Sequence, residues 1–179
     1  MLSRFKVCFL ITLLDPSYLG AENILMIRSV VFRRIIFPLT YLVIGVTSLY
    51  YWGSLDHGLL LIRFVGMVVF ILSLIGMHRV HSLYPKKHDA PSDFPRLLKE
   101  GPYGIVRHPL YALTMVNQVS IPATALSLEG FLAFLACLPL WYILIKLEEK
   151  ELIEYWGEEY LSYMREVPAV VPIPRRKRR

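Results

Sequence analysis

Charged residues make up only 19% of this 179-residue chain, where an ordinary soluble domain carries about a quarter. So little charge argues against a simple soluble globule. Cysteine is scarce as well: Cys8 and Cys137 are the whole complement, both in apolar stretches, and two such thiols build no disulfide framework. They read as packing residues. There is no internal repeat, and no low-complexity segment apart from a basic terminus. Two connections, around Asp56-His57 and Ser127-Glu129, contain no Lys or Arg at all.

What the chain has in excess is apolar residues, 55% of the total, gathered into runs at 35–51, 58–77, 109–128 and 131–147. Each is nearly or fully long enough to cross about 30 Å of hydrocarbon as a helix, and helices satisfy their own backbone in lipid. The reading is an all-α integral membrane bundle of about four transmembrane helices. Of the 20 Lys and Arg residues, all but Arg63 lie before the first run, between the second and third, or from Lys146 at the end of the fourth onward. The positive-inside rule then places both termini and the long central loop in the cytoplasm.

The net charge of +6 resides mostly in Arg175, Arg176, Lys177, Arg178 and Arg179, so the rest carries +1. A nearly neutral body argues against nucleic acid as a partner; the tail at 175–179 suits anionic lipid headgroups or is simply solvated. Residues 1–34 form an N-terminal segment in which Arg4 and Lys6 precede an apolar stretch ended by Asp15-Pro16. It reads as an interfacial helix or a leader, with Met26 an alternative start. Residues 35–174 form a single membrane domain.

The loop from 79 to 108 is rich in proline and interleaved with Tyr84, Phe94 and Tyr103, which fits a segment packed on the membrane face rather than a disordered linker. In the third run Tyr111, Thr114 and Gln118 follow i, i+3, i+7 spacing and share one helix face, with Asn117 beside them. That face points into the bundle, either bonding helices together or lining a cavity. The fourth run continues as a helix past the membrane to Trp156, with Lys150 and Glu154 paired one turn apart. Gly157 breaks it, and Glu158 to Met164 makes a further short helix with Tyr160 and Tyr163 on one side.

At residues 101–111, Gly-Pro-Tyr-Gly-Ile-Val-Arg-His-Pro-Leu-Tyr, two prolines stiffen the junction between loop and third run. Pro109 suits the first position of a helix, leaving the N–H groups of Leu110, Tyr111 and Ala112 to face Arg107 and His108 and to favour an anion. Lipid phosphate at Arg107 and a helix cap at His108 are the plainer alternatives. The short outer connection makes the third and fourth runs antiparallel, so Tyr103, Arg107, His108 and Tyr111 approach Lys146, Glu148 and Glu149. The combined cluster suits a zwitterionic, partly aromatic, cationic ligand. His78, His81 and His88 do not complete a metal site, since no cysteine or paired carboxylate joins them.

Gly101-Pro102-Tyr103, Arg107-His108-Pro109-x-Tyr111, Glu148-Glu149-x-x-Leu152, Trp156-Gly157-x-x-Tyr160-x-x-Tyr163 and Val167-Pro168 resemble, in order and spacing, the isoprenylcysteine carboxyl methyltransferase and phospholipid methyltransferase superfamily. The resemblance covers about residues 58–174. It departs at Gly104, Lys146 and Trp156, where bacterial members often carry a basic or aromatic residue, arginine and phenylalanine.

The resemblance implies an S-adenosylmethionine-dependent membrane methyltransferase of the bacterial inner membrane, with a cytoplasmic pocket formed by the central loop and the C-terminal helical region. It implies cofactor contacts from Tyr103, Arg107, His108, Tyr111, Glu148 and Glu149, with Arg107 and His108 the catalytic pair and no metal. The methyl acceptor is then lipophilic or small: a thiol, carboxylate or amine, alongside membrane lipid. A non-enzymatic adaptor and an NADPH-dependent reductase are the competing classes; the first leaves the converging clusters without a use, and the second lacks a basic cluster for a 2′-phosphate.

Overall fold

A computed structural model describes residues 21–55, 59–85 and 91–172, with the side chains of the first helix described from Val30 onward. The readings of residues 1–20 with Cys8, of Asp56-His57, of Lys86, Lys87 and His88, and of the 175–179 tail lie outside these residues.

Among the described residues four long helices carry the fold: α1 (Ala21–Tyr50), α2 (Leu60–His81), α3 (Pro109–Ala125) and α4 (Leu128–Trp156), followed by the short α5 (Glu158–Glu166). Among the described residues there is no strand. The result is an all-α membrane bundle. Val30–Tyr50, Leu60–His81 and Leu128–Trp156 are each long and apolar enough to cross a membrane. The remaining run folds as the 17-residue α3, about 26 Å at 1.5 Å per residue. Its limits are chemical: Pro109 occupies its first position, and Leu126 closes it in the left-handed conformation at φ 51°.

The first helix begins well before residue 35. No breaker interrupts Ala21 to Phe37, so Arg33 and Arg34 ride on α1 instead of preceding it, and Arg33 is carried to within 3.8 Å of Glu148 on α4.

α3 packs mainly along α2, and α1 mainly along α4, with α1–α3 and α3–α4 contacts closing the bundle. The α2–α3 approach depends on Gly66, where a Cβ would stand 2.8 Å from the backbone nitrogen of Thr124. Between α3 and α4 the turn is tight: Ser127 caps α4 by accepting the Gly130 N–H at 3.0 Å, as N-cap serines do.

Polar side chains in the bundle interior answer one another. Gln118 donates to Thr40 Oγ1 at 2.6 Å and accepts from the indole of Trp141 at 3.0 Å. Asn117 donates to Ser73 Oγ at 2.9 Å and to the Phe70 carbonyl at 3.1 Å, and accepts from the Tyr41 hydroxyl at 2.8 Å. Thr114 donates to the Leu110 carbonyl. The polar face of α3 therefore bonds helices together, the first of its two readings. Around it pack Ile36, Tyr111, Trp141, Leu144 and Ile145.

Outside, Leu42, Val46, Phe64, Leu72, Leu135 and Ile143 are exposed, an apolar belt larger than soluble surfaces carry. At one end Tyr50, Tyr51 and Trp52 gather, with the Arg63 guanidinium 5.1 Å from the Trp52 ring, a typical aromatic girdle at a membrane interface. The opposite end holds the charged cluster.

Candidate functional site

Two segments distant in sequence are fastened together at the polar end. The Arg107 N–H donates to the Pro168 carbonyl at 2.8 Å and the His108 N–H to the Ala169 carbonyl at 2.9 Å. This is possible because Pro168 ends α5 and forces an extended chain. The Tyr163 hydroxyl adds a third tie, donating to the Tyr103 carbonyl at 2.6 Å. α5 itself turns back on α4 through Gly157, whose φ of 55° suits a residue without a Cβ.

Arg107 is 8% exposed and Glu149 2%. The guanidinium donates from Nε to Glu149 Oε1 at 3.1 Å and from Nη2 to the same oxygen, and from Nη1 to the carbonyls of Met164 and Val167. Glu149 Oε2 accepts from Lys146 Nζ at 2.9 Å. Arg107 and Glu149 thus form a buried pair that clamps α4 to the end of α5. Adjacent residues on a helix diverge by about 100°, so Glu148 points elsewhere: its Oε1 lies 3.8 Å from Arg33 Nη1, and its Oε2 3.5 Å from His108 Nδ1. Oε2 is buried without a hydrogen-bond partner.

His108 occupies the N-cap position of α3 without a side-chain capping bond and stacks on Tyr111, ring centroids 5.6 Å apart and planes 3° from parallel. Its Nε2 is 3.6 Å from Glu149 Oε1. Burial alone would lower the imidazole pKa, but Glu148 and Glu149 outweigh it and raise it. The expected anion seat at the start of α3 is smaller than the sequence suggested. The Ala112 N–H is already spent on the His108 carbonyl at 3.0 Å, because Pro109 extends the helical turn back to residue 108.

Above this cluster opens a cleft. Its enclosed cavity measures about 100 Å³, and about 620 Å³ of unfilled space is present once the open mouth is counted. The enclosed part is smaller than typical small-molecule sites, about 300–1,000 Å³, and has room for part of a ligand. Tyr103, Arg107, His108, Tyr111 and Glu148 line it, while Glu149 stands behind the wall. The structure therefore brings together all six expected residues and separates the glutamates into one facing the cleft and one bonded to Arg107.

Sequence reasoning missed Tyr84, Leu97, Trp156 and Tyr160 as lining residues. Tyr84 was detectable as an aromatic in the proline-rich loop. Trp156 and Tyr160 stood in a recognisable motif, but only the reversal at Gly157 brings them over the cleft.

The fold and site define an all-α membrane bundle with a charged, aromatic cleft at one end. Comparison with known proteins adds a chemical direction. No family model matches the chain. It is 32% identical over 100 residues to methanethiol S-methyltransferase 1 of Bradyrhizobium diazoefficiens, a match covering 55% of this chain and 33% of that protein. Over 76 residues it is 42% identical to methanethiol S-methyltransferase of Pseudomonas deceptionensis, covering 41% and 28%. Over 100 residues it is 30% identical to that of Crocosphaera subtropica, covering 55% and 37%. The chain spans about a third of the length of the curated relatives it matches. The names of these relatives agree with the resemblance read from its motifs.

Proposed function

We propose that the chain is an S-adenosylmethionine-dependent membrane methyltransferase whose acceptor is a small or lipid-like nucleophile, with a thiol favoured by the names of its relatives. The observation that carries this reading is the cleft itself, in which a buried carboxylate oxygen of Glu148, without a close hydrogen bond and 3.5 Å from His108 Nδ1, meets aromatic faces at the end of a helix bundle. That donor set fits a zwitterionic sulfonium nucleoside. Glu148 would accept from the cofactor's amino group or ribose hydroxyls, while Tyr103 and Tyr111 offer ring faces to a cation. By the distribution of basic residues, this end faces the cytoplasm.

When bound, the cofactor supplies an electrophilic methyl group. The chain's residues then have three tasks: to hold both reactants in line, to exclude water, and to take a proton if the acceptor brings one. Arg107 reaches the cleft but spends four N–H contacts on Glu149, Met164 and Val167, so its main part is to fix the wall from which Glu148 projects. His108, made more basic by the two glutamates, is the group placed to accept the proton of a neutral thiol. An acceptor already ionised needs no base.

The test is product formation. Membranes containing the chain are incubated with methyl-labelled S-adenosylmethionine and either methanethiol or a native lipid extract. Labelled dimethyl sulfide is the expected result; label in the lipid fraction instead would move the acceptor to a lipid. No label in either would sink the methyltransferase reading.

A further inference from the structure

Tyr160 and Tyr163 sit one turn apart on α5, both buried, with ring centroids 5.8 Å apart, and both rings border the cleft. Their hydroxyls differ. Tyr163 donates to the Tyr103 carbonyl at 2.6 Å. Tyr160, 1% exposed, has a buried hydroxyl with no hydrogen-bond partner. A buried hydroxyl left unmatched is unfavourable, about 1–3 kcal/mol by protein measurements, so its retention in the wall of a cleft calls for an occupant.

Resting on the cofactor reading above, we propose that the Tyr160 hydroxyl is a ligand-binding group, donating a hydrogen bond to an acceptor oxygen or nitrogen of the bound nucleoside–amino acid cofactor. Burial pushes its pKa well above the ordinary tyrosine value, so it stays a neutral donor across the working pH range. Tyr160 shares the cleft lining with Arg107, His108 and Glu148, so a ligand seated there lies beside its side chain. Tyr163, whose pKa burial raises to about 12, is the internal control, because its hydroxyl already has a carbonyl.

Tyr160→Phe and Tyr163→Phe are purified in detergent and compared with the parent chain. Calorimetric titrations use S-adenosylmethionine, its decarboxylated analogue and 5′-methylthioadenosine, and thermal unfolding is followed without ligand. Tyr160→Phe is expected to bind S-adenosylmethionine about tenfold more weakly, with an unfolding midpoint unchanged or raised. Tyr163→Phe is expected to lower the midpoint. If only S-adenosylmethionine is weakened, the acceptor atom is its carboxylate; if all three are, it lies on the nucleoside. Equal affinity of Tyr160→Phe and parent for all three ligands overturns the inference while leaving the cofactor reading intact. A parent chain that binds none of them overturns both.

Discussion

Gln118 and Glu148 are both polar side chains turned inward on helices of one bundle, and the bundle treats them oppositely. Gln118, deep among α1, α3 and α4, uses one end of its amide on Thr40 and the other on Trp141. Glu148, at the charged end of α4, keeps an oxygen without a close hydrogen bond, 3.5 Å from His108 Nδ1, beside a cleft. A polar group in an apolar interior is held in place by what it bonds, so a satisfied one serves the fold. One left unsatisfied at the edge of a cavity awaits a ligand. By that criterion Asn117, Gln118, Thr40 and Ser73 are structural, and Glu148, His108 and Tyr160 are the residues proposed for the site.

The largest expected effect falls on the boundary between these regions. Glu149→Ala strands the Arg107 guanidinium, which is itself 8% exposed, and unpairing a buried charge costs about 3–5 kcal/mol. The variant should unfold at a much lower temperature in detergent or fail to yield monodisperse protein. Unchanged thermal stability would show that the clamp between α4 and the end of α5 is dispensable.

Next comes the interior network. Gln118→Leu should destabilise by about 1–2 kcal/mol, since it deprives the Trp141 indole of its acceptor, yet leave cofactor affinity within twofold in a calorimetric titration. A large loss of affinity would dissolve the distinction between the two regions. Glu148→Gln should show the reverse pattern: little change in the unfolding midpoint, because its side chain is 25% exposed, and about tenfold weaker cofactor binding.

Acidity provides a subtler separation. The His108 pKa is raised above 6.5 in the folded chain, so its stabilising contribution is complete below about pH 6.5 and disappears as pH rises through the raised value. Methyl transfer to a neutral thiol should follow the opposite slope, increasing as the same imidazole loses its proton. Unfolding midpoints and initial rates measured from pH 6 to 9 check both signs, and His108→Asn should flatten the stability slope. Smallest of all is Lys150→Ala, which removes an exposed pair with Glu154 at 4.0 Å. Such pairs contribute little, and no measurable change is expected.

Much of this arrangement was legible in the residues. Long apolar runs gave the helices, Pro109 and Gly157 marked their ends, and the i, i+3, i+7 row on α3 located a buried polar face. The start of α1 was not legible. Arg33 and Arg34 looked like charges outside a membrane, whereas the unbroken helix carries them and brings Arg33 to Glu148. Nor could spacing decide the task of Arg107. Its pattern signals an anion site, but whether the anion is a ligand or the chain's own Glu149 depends on which element folds over it. The part proposed for Tyr160 was hidden for the same reason, since a reversal at one glycine decides which α5 hydroxyl meets a carbonyl and which is left without one.

The most direct test of the division between satisfied interior and unsatisfied site is a calorimetric titration of S-adenosylmethionine into detergent-purified parent chain and Glu148→Gln, with NADPH as the control ligand. Saturable 1:1 binding by the parent, about tenfold weaker binding by the variant and no heat with NADPH are the predicted results. Equal affinity of parent and variant, or binding of NADPH alone, would contradict the assignment of the charged end as a methyl-donor site.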